Sequence, residues 1–425
     1  MNFKKDTQIA VIGLGYVGLP LALAFSRLYK TIGYDVNPMR INNLEQGADE
    51  TLEVSSEDLA SADLLSFTSE LDGLNDSDIY VITVPTPIDN YNRPDLNPLI
   101  SASKAVGSVL TKGNIVIYES TVYPGATEEI CVPELEKQSG LKAIKDFSYG
   151  YSPERINPGD KINRLESIIK LTSGSCPKAR KEIDYLYQSI VPAGTHSCES
   201  VRVAEAAKVI ENTQRDINIA LMNELTVLFD KLDLDVNDVL DAASTKWNFL
   251  DFRPGLVGGH CIGVDPYYLT HKSQEIGFHP EIILAGRRIN DSMASYVTSK
   301  FIGQLLQRKI DLTVGKVLLL GFTFKENCPD IRNTKVNDIV FELEKLNISY
   351  DVYDPFVDPQ EAHNLYGLEM CSELKESHYD GVIVAVCHEG FKDMGVAGVR
   401  RLLKPHGIIY DLKAVFDKNE VDFRI

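Results

Sequence analysis

The chain has 425 residues, 44% apolar and 24% charged, the balance of a folded globular protein rather than a disordered one. Its 61 acidic against 43 basic residues give a formal charge of −18, which excludes bulk-charge binding to nucleic acid or to an anionic membrane; an anionic ligand must meet locally placed donors. Seven cysteines without a Cys-x-x-Cys pair argue against a disulfide framework or zinc site. No apolar run nears the roughly 20 residues of a membrane span, and Met1 to Asp6 lacks a long apolar signal core, so a cytoplasmic protein with reduced thiols and no metal is expected.

In chain order, Gln8–Gly13 predicts a strand, Tyr16 to about Leu28 a helix, and Thr31–Tyr34 the next strand. Ile79–Val84, Asn114–Tyr118 and Ser167–Leu171 read as further strands, and alternation with helices implies a parallel sheet covered on both faces. From Val201 to about Leu232 there is no proline or glycine, which predicts one long helix; helical texture continues to about residue 244. The glycine-rich stretch Asn248–Cys261 reads as irregular, and Pro280–Gln307 as helix. A second alternation begins with strand Val317–Gly321, helix Asn333–Leu346 and strand Ser349–Tyr353, and ends with strands Gly381–Val386 and Gly407–Asp411. The expected class is α/β, with two Rossmann-like doubly wound domains joined by a central helical segment with one long helix. The expected boundaries are 1–198, 199–310 and 311–425, and the two α/β halves resemble each other only in layout.

Gly13-Leu14-Gly15-Tyr16-Val17-Gly18 follows a strand and opens a helix, the setting in which G-x-G-x-x-G carries meaning. Gly13 permits the tight turn, Gly15 lets backbone approach a pyrophosphate, and Gly18 lets helix and strand pack closely, while the helix N-terminus, with Tyr16 and Val17, offers donors. Asp35 closes the second strand at the distance expected of the acid that accepts ribose hydroxyls and repels a 2′-phosphate, favouring NAD over NADP. Arg40 is placed at the adenosine side, where it would weaken that exclusion. The loop of Pro85 and Thr86 and the strand end at Thr121 border the expected nicotinamide side, although a structural proline turn and an ordinary strand-end threonine explain them as well.

Gly258-Gly259-His260-Cys261-Ile-Gly-Val-Asp265 is the second concentration of unusual residues. Glycines here let backbone approach a ligand and leave Cys261 an accessible thiol; a buried inert cysteine is the level alternative. Asp265 falls on the same side as Cys261 if a helical turn starts there, and His260 reads as structural. Lys208 and Asn212, at i and i+4 on the long helix, share one face and suit either solvent or a developing oxyanion. Glu154 sits in a loop after a strand, placed to activate water or simply to be solvated. A nicotinamide beside an exposed cysteine has a chemical logic. A thiolate turns an aldehyde into a thiohemiacetal, which can be oxidised again to a thioester and hydrolysed.

With these motifs in this order, the chain resembles the UDP-glucose/GDP-mannose dehydrogenase family over nearly its whole length. It is most similar there to the UDP-N-acetylhexosamine 6-dehydrogenases of bacterial capsule and O-antigen synthesis, through Ser152–Gly159 and Phe252–Cys261. The resemblance implies oxidation of a primary alcohol to a carboxylate with two NAD and one water. By it, Cys261 is the nucleophile, Lys208 and Asn212 stabilise charged oxygen, Asp265 and Thr121 hold a water, and Glu154 assists hydrolysis. Arg155, Phe252, Arg253, Gly258, Gly259, Phe324 and Lys325 would meet the nucleotide sugar, and Arg332 would approach NAD. The long helix would form a homodimer core and the C-terminal domain would bind UDP. Pro158 and Val264 stand where UDP-glucose members commonly carry Glu and Lys, which points to a different sugar pocket. UDP-N-acetylglucosamine is the expected substrate, with UDP-N-acetylgalactosamine and UDP-glucose as alternatives. A reductase/epimerase reading has Tyr296-x-x-x-Lys300 but the wrong glycine spacing, and a non-catalytic nucleotide-sugar sensor would not need Cys261.

Overall fold

The computed structural model describes residues 3, 6–89, 91–155, 165–259 and 262–425. His260, Cys261 and Pro158 therefore lie outside the described residues. The chain divides into two compact units, Met1–Glu211 with Tyr267–Phe278, and Asn212–Pro266 with His279–Ile425.

The first unit is built on eight strands: β1 (Gln8–Ile12), β2 (Lys30–Tyr34), β3 (Leu65–Thr68), β4 (Ile79–Ile82), β5 (Ile115–Tyr118), β6 (Ser148–Tyr151), β7 (Lys170–Gly174) and β8 (Thr195–Ser197). Their order is β3-β2-β1-β4-β5-β6-β7-β8, parallel throughout except for the β6–β7 pair. The strand order reverses between β1 and β4, and the crevice beyond their carboxyl ends is where such sheets bind ligands. Ile9, Val11, Ile79, Val81, Ile115 and Ile117 pack with Phe25 of the Gly18–Ser26 helix and Tyr187 of the Pro177–Gln188 helix.

β7 starts three residues later than the apolar run Ser167–Leu171 suggests. Ile169 is exposed, whereas the polar continuation is buried because Thr172 Oγ1 donates to Asp184 at 2.7 Å and Ser173 Oγ to the Tyr151 carbonyl at 2.7 Å. Hydropathy alone misplaces a strand whose polar residues are satisfied in this way.

The second unit carries β9 (Lys316–Leu320), β10 (Ser349–Tyr353), β11 (Tyr379–Val384), β12 (Leu403–Asp411) and β13 (Phe423–Arg424), all parallel in the order β10-β9-β11-β12-β13. β9 shows why the sheet is covered twice. Val317 and Leu319 join Val297, Phe301 and Ile339 on one face, and Leu318 and Leu320 join Phe391, Val399 and Leu402 on the other.

Within this unit the Glu281–Gln307 helix packs along the later part of the Val201–Asp230 helix, through polar groups as well as apolar ones. Arg287 Nη1 meets Asp216 Oδ1 at 2.7 Å with both side chains buried, and Asn290 Nδ2 donates to the same oxygen at 2.7 Å. Asn223 donates to Asn290 at 2.8 Å and clamps Gly255, accepting its N–H at 2.9 Å and donating to its carbonyl at 3.0 Å; this anchors the glycine-rich segment. Further along, the Tyr296 hydroxyl and Lys300 ammonium both donate to Asp230. Burial and that carboxylate push the Tyr296 phenol up, the opposite of what a reductase/epimerase dyad needs. Among the described residues no helix is long and apolar enough to cross a membrane.

Removing one partner of a buried ion pair leaves the other charge uncompensated, so Asp216→Ala is expected to cost about 3 kcal/mol of stability. Denaturant unfolding checks it, and a midpoint equal to that of the parent would count against the pair as a main fastener of the two helices.

Candidate active site

At the end of β1, Gly13 takes φ +96°, a left-handed turn that L side chains rarely adopt, and its N–H donates to the Tyr34 carbonyl at 2.8 Å. The next residue is gripped on both sides. Leu14 N–H donates to Asp35 Oδ2 at 2.9 Å, and the Leu14 carbonyl accepts from Arg40 Nε and Nη2 at 3.0 and 2.8 Å. A Cβ on Gly18 would stand 1.8 Å from the Gly13 carbonyl oxygen, so the helix can approach the strand only with glycine there. A Cβ on Gly15 would meet no protein atom within 4 Å. The space beside Gly15 is therefore open at the start of a helix that no side chain caps, a setting that fits a pyrophosphate.

Asp35 is half-buried, and each of its oxygens already accepts one backbone N–H, from Leu14 and, at 2.9 Å, from Asn37. Lone pairs remain for ribose hydroxyls. Arg40 does not sit where the sequence reading places it. It is buried, braces Leu14 and pairs with Asp49 at 2.7 Å, so its guanidinium serves the turn rather than the adenosine side.

The loops after β4 and β5 are joined where Ser120 Oγ donates to the Val84 carbonyl. The Thr86 and Pro87 carbonyls accept the Tyr268 hydroxyl at 2.8 and 3.3 Å, which fixes Pro85 and Thr86 at the strand ends beside half-buried Thr121. Below Thr121 lies a group of charges that the sequence reading did not single out. Glu119 is fully buried; its Oε2 meets Lys170 Nζ at 2.6 Å and its Oε1 accepts the Tyr187 hydroxyl. Lys170 Nζ also stands 3.8 Å from Glu154 Oε2, and Glu154 Oε1 accepts the Arg155 N–H at 2.6 Å. Burial pushes the Glu119 carboxyl up to about 7, against the pull of Lys170 and with a further push from Glu154. The Arg155 guanidinium turns away to Glu211 at 2.8 Å and to the Ile169 carbonyl. Lys208 is buried on the long helix of this unit.

In the second unit Asn212 and Asp265 meet directly, Asn212 Nδ2 donating to Asp265 Oδ2 at 2.6 Å, both side chains buried. Asp265 opens the Asp265–Glu275 helix and residues 262–264 before it form a turn; the expectation that Asp265 shares a side with Cys261 falls outside the described residues. Gly258 and Gly259 are glycine for a reason internal to this unit. A Cβ on Gly258 would lie 2.6 Å from the Asn333 carbonyl oxygen, and one on Gly259, at φ +81°, would lie 2.8 Å from the Phe324 ring. They admit a neighbouring loop, which carries Phe324, Lys325 and Arg332. Arg332 chelates Asp330, with Nε at 3.0 Å and Nη2 at 2.6 Å. Arg253 is held by Asp241 at 2.7 Å and Asp251 at 2.8 Å, and Phe252 packs beside Met222, Val236 and Leu240.

The start of the second sheet repeats the first in its hydrogen bonds, not only in layout. Gly321 takes φ +90° and its N–H donates to the Tyr353 carbonyl at 2.9 Å, while Phe322 N–H donates to Asp354 Oδ2 at 2.7 Å. Gly13, Tyr34 and Asp35 thus have counterparts in Gly321, Tyr353 and Asp354. The second acid differs in being buried against His388, whose Nε2 lies 2.9 Å from the same Oδ2 while its Nδ1 accepts the Asn327 N–H at 2.9 Å. That pattern puts the imidazole proton on Nε2, donating to Asp354.

The structure therefore places Gly13, Gly15, Gly18 and Asp35 in one turn, Glu154 over the buried Lys170–Glu119 pair, and Asn212 against Asp265. The signal for Lys170 is a lone charge inside an apolar strand run, which calls for a buried partner.

Three family descriptions match the chain in sequence order. The NAD binding domain of the UDP-glucose/GDP-mannose dehydrogenase family matches residues 7–191, the central domain 202–292, and the UDP binding domain 318–418. The chain is 57% identical over 421 residues to UDP-N-acetyl-D-glucosamine 6-dehydrogenase of Pseudomonas aeruginosa, covering 99% of this chain and 100% of that protein. It is 52% identical over 417 residues to Protein CapL of Staphylococcus aureus, covering 98% of each. The solved structure of the UDP-D-ManNAc dehydrogenase of Pyrococcus horikoshii superposes with a TM-score of 0.88 at 29% identity, covering 98% of each chain. The chain belongs to the UDP-glucose/GDP-mannose dehydrogenase family.

Proposed function

We propose that the chain oxidises the C6 primary alcohol of UDP-N-acetylglucosamine to the carboxylate in the cytoplasm, with two NAD and one water per sugar, for surface polysaccharide synthesis. The observation that carries this reading is the full-length 57% identity to a protein named for that activity. In the proposed division of labour, residues 1–198 hold NAD, 199–310 carry the catalytic cysteine and pair two chains through the long helix, and 311–425 hold the UDP-sugar.

NAD, when bound, takes a hydride from C6 at each of two oxidations. Gly15 leaves room for its pyrophosphate, and Asp35 accepts its adenosine ribose. A 2′-phosphate would meet the Asp35 carboxylate, with Arg40 already committed to Asp49 and Leu14. Cys261 adds its sulfur to the C6 aldehyde. Asn212 has one amide hydrogen fixed on Asp265, which orients the second toward the resulting oxyanion, and Lys208 supplies positive charge. After the second oxidation C6 is a thioester. Water then attacks it, Glu154 takes one proton from that water, the C–S bond breaks to release the Cys261 thiolate, and the acid so formed gives its remaining proton to solvent to leave the carboxylate.

Four outcomes test the reading. UDP-N-acetylglucosamine should yield two NADH per sugar, and Cys261→Ser should stop short of the acid; native acid release by that variant, or turnover of UDP-glucose alone, would overturn it. Asn212→Ala should lower turnover roughly 100-fold while leaving NAD affinity near native, since one oxyanion donor contributes about 2.7–4 kcal/mol to the barrier. Asp35→Ala should raise the KM for NAD roughly tenfold and narrow the preference over NADP, because a hydrogen bond to a charged group is worth about 1.5–3 kcal/mol; steady-state kinetics with both cofactors read this directly.

A further inference from the structure

The buried charges beneath Glu154 have no part in the chemistry above. Lys170, at the first position of β7, has a side chain only 3% exposed, and Glu119, at the end of β5, is fully buried. Taking an ammonium and a carboxylate out of water is costly, and a strand would be equally well packed by two apolar residues. The pair is not closed on itself either. The ammonium lies 2.6 Å from Glu119 and 3.8 Å from Glu154, so one cation serves two carboxylates.

We propose that Lys170 is a positioning residue for Glu154, its ammonium divided between Glu119 and Glu154 so that Glu119 governs how readily Glu154 takes the proton of the hydrolytic water. The inference rests on the role given to Glu154 above and deepens it. Glu154 is held at one oxygen by the Arg155 N–H, which leaves the other facing Lys170. Among the described residues, the groups around it include Glu119 after β5, Lys170 from β7, Tyr187 from the Pro177–Gln188 helix, and Arg155, whose guanidinium is committed to Glu211. Glu119, pushed up to about 7 by burial, changes charge in the neutral range. When it is ionised, it draws the ammonium away from Glu154 electrostatically and Glu154 becomes the better base. When it is protonated, the full charge of Lys170 acts on Glu154.

The step concerned is the thioester hydrolysis. The water oxygen bonds to the acyl carbon, the C–S electrons return to sulfur, one water proton passes to Glu154, and the other goes to solvent as the acid ionises. Glu119 and Lys170 therefore make opposite predictions for the pH profile of single-turnover acid release. Glu119→Gln keeps the shape of the side chain and leaves Lys170 to Glu154 alone, so the acidic limb should move down by about one pH unit. Lys170→Met removes the cation, and the limb should move up by about one unit, with Lys170→Arg restoring most of the native profile. A purely structural pair would lower the rate in both variants without separating the limbs.

Unmoved limbs, or limbs that move the same way, overturn the proposal. Should Lys170→Met fail to fold, the direction of the Glu119→Gln shift decides alone. Glu154→Gln separates the two levels of the reading. Native acid release there defeats the role of Glu154 itself, whereas lost release together with unmoved Glu119→Gln limbs defeats only the part played by Lys170.

Discussion

A strand must become a helix within a handful of residues while leaving an open concavity above the helix N-terminus, and the first unit depends on how this turn is made. The N–H of Gly13 is tied to the end of β2, and Leu14 is held between an acid and a guanidinium. Nothing but hydrogen could stand at Gly18 without striking the Gly13 carbonyl oxygen. The acid proposed to meet the ribose is thus also a fastener. Asp35 holds the turn through Leu14 and the start of the next helix through Asn37, so one carboxylate fixes both sides of the crossing.

Charges buried for geometry recur through both units. Asp216 with Arg287 and Asn290 joins two helices, and Asn223 pins Gly255 from the same helix. These contacts are directional where apolar packing is not, so they fix the register of one helix against the other and with it the path of the glycine-rich segment that leads to Cys261. Asn212 lies one turn before Asp216 on that helix, and its amide is oriented in turn by Asp265. Residues assigned to chemistry are held by residues whose work is structural.

Much of this was legible in the sequence. The periodic runs gave nine of the described strands to within a few residues but no bounds for β3, β6, β8 or β13, and the absence of proline and glycine after Val201 gave the long helix. The glycine fingerprint and Asp35 were readable because each residue answers a local steric demand. Arg40 was misread, since spacing says that a side chain can reach a ligand but not that a nearby carbonyl and Asp49 will claim it first. Gly258 and Gly259 were read toward a ligand, although the atoms that crowd them come from Asn333 and Phe324, more than 60 residues later. Lys170 and Glu119 are 51 residues apart and meet only because β5 and β7 flank β6. Such partnerships are set by strand order, which local pattern does not reveal.

The imidazole of His388 occupies, on Asp354, the place that a sugar hydroxyl would seek on Asp35. The second turn thereby keeps the mechanical bonds of the first, its acid satisfied from within the chain. Two near-copies of one supersecondary unit thus coexist in a single polypeptide with their acids in different company, because an internal side chain is the permanent tenant of one of them.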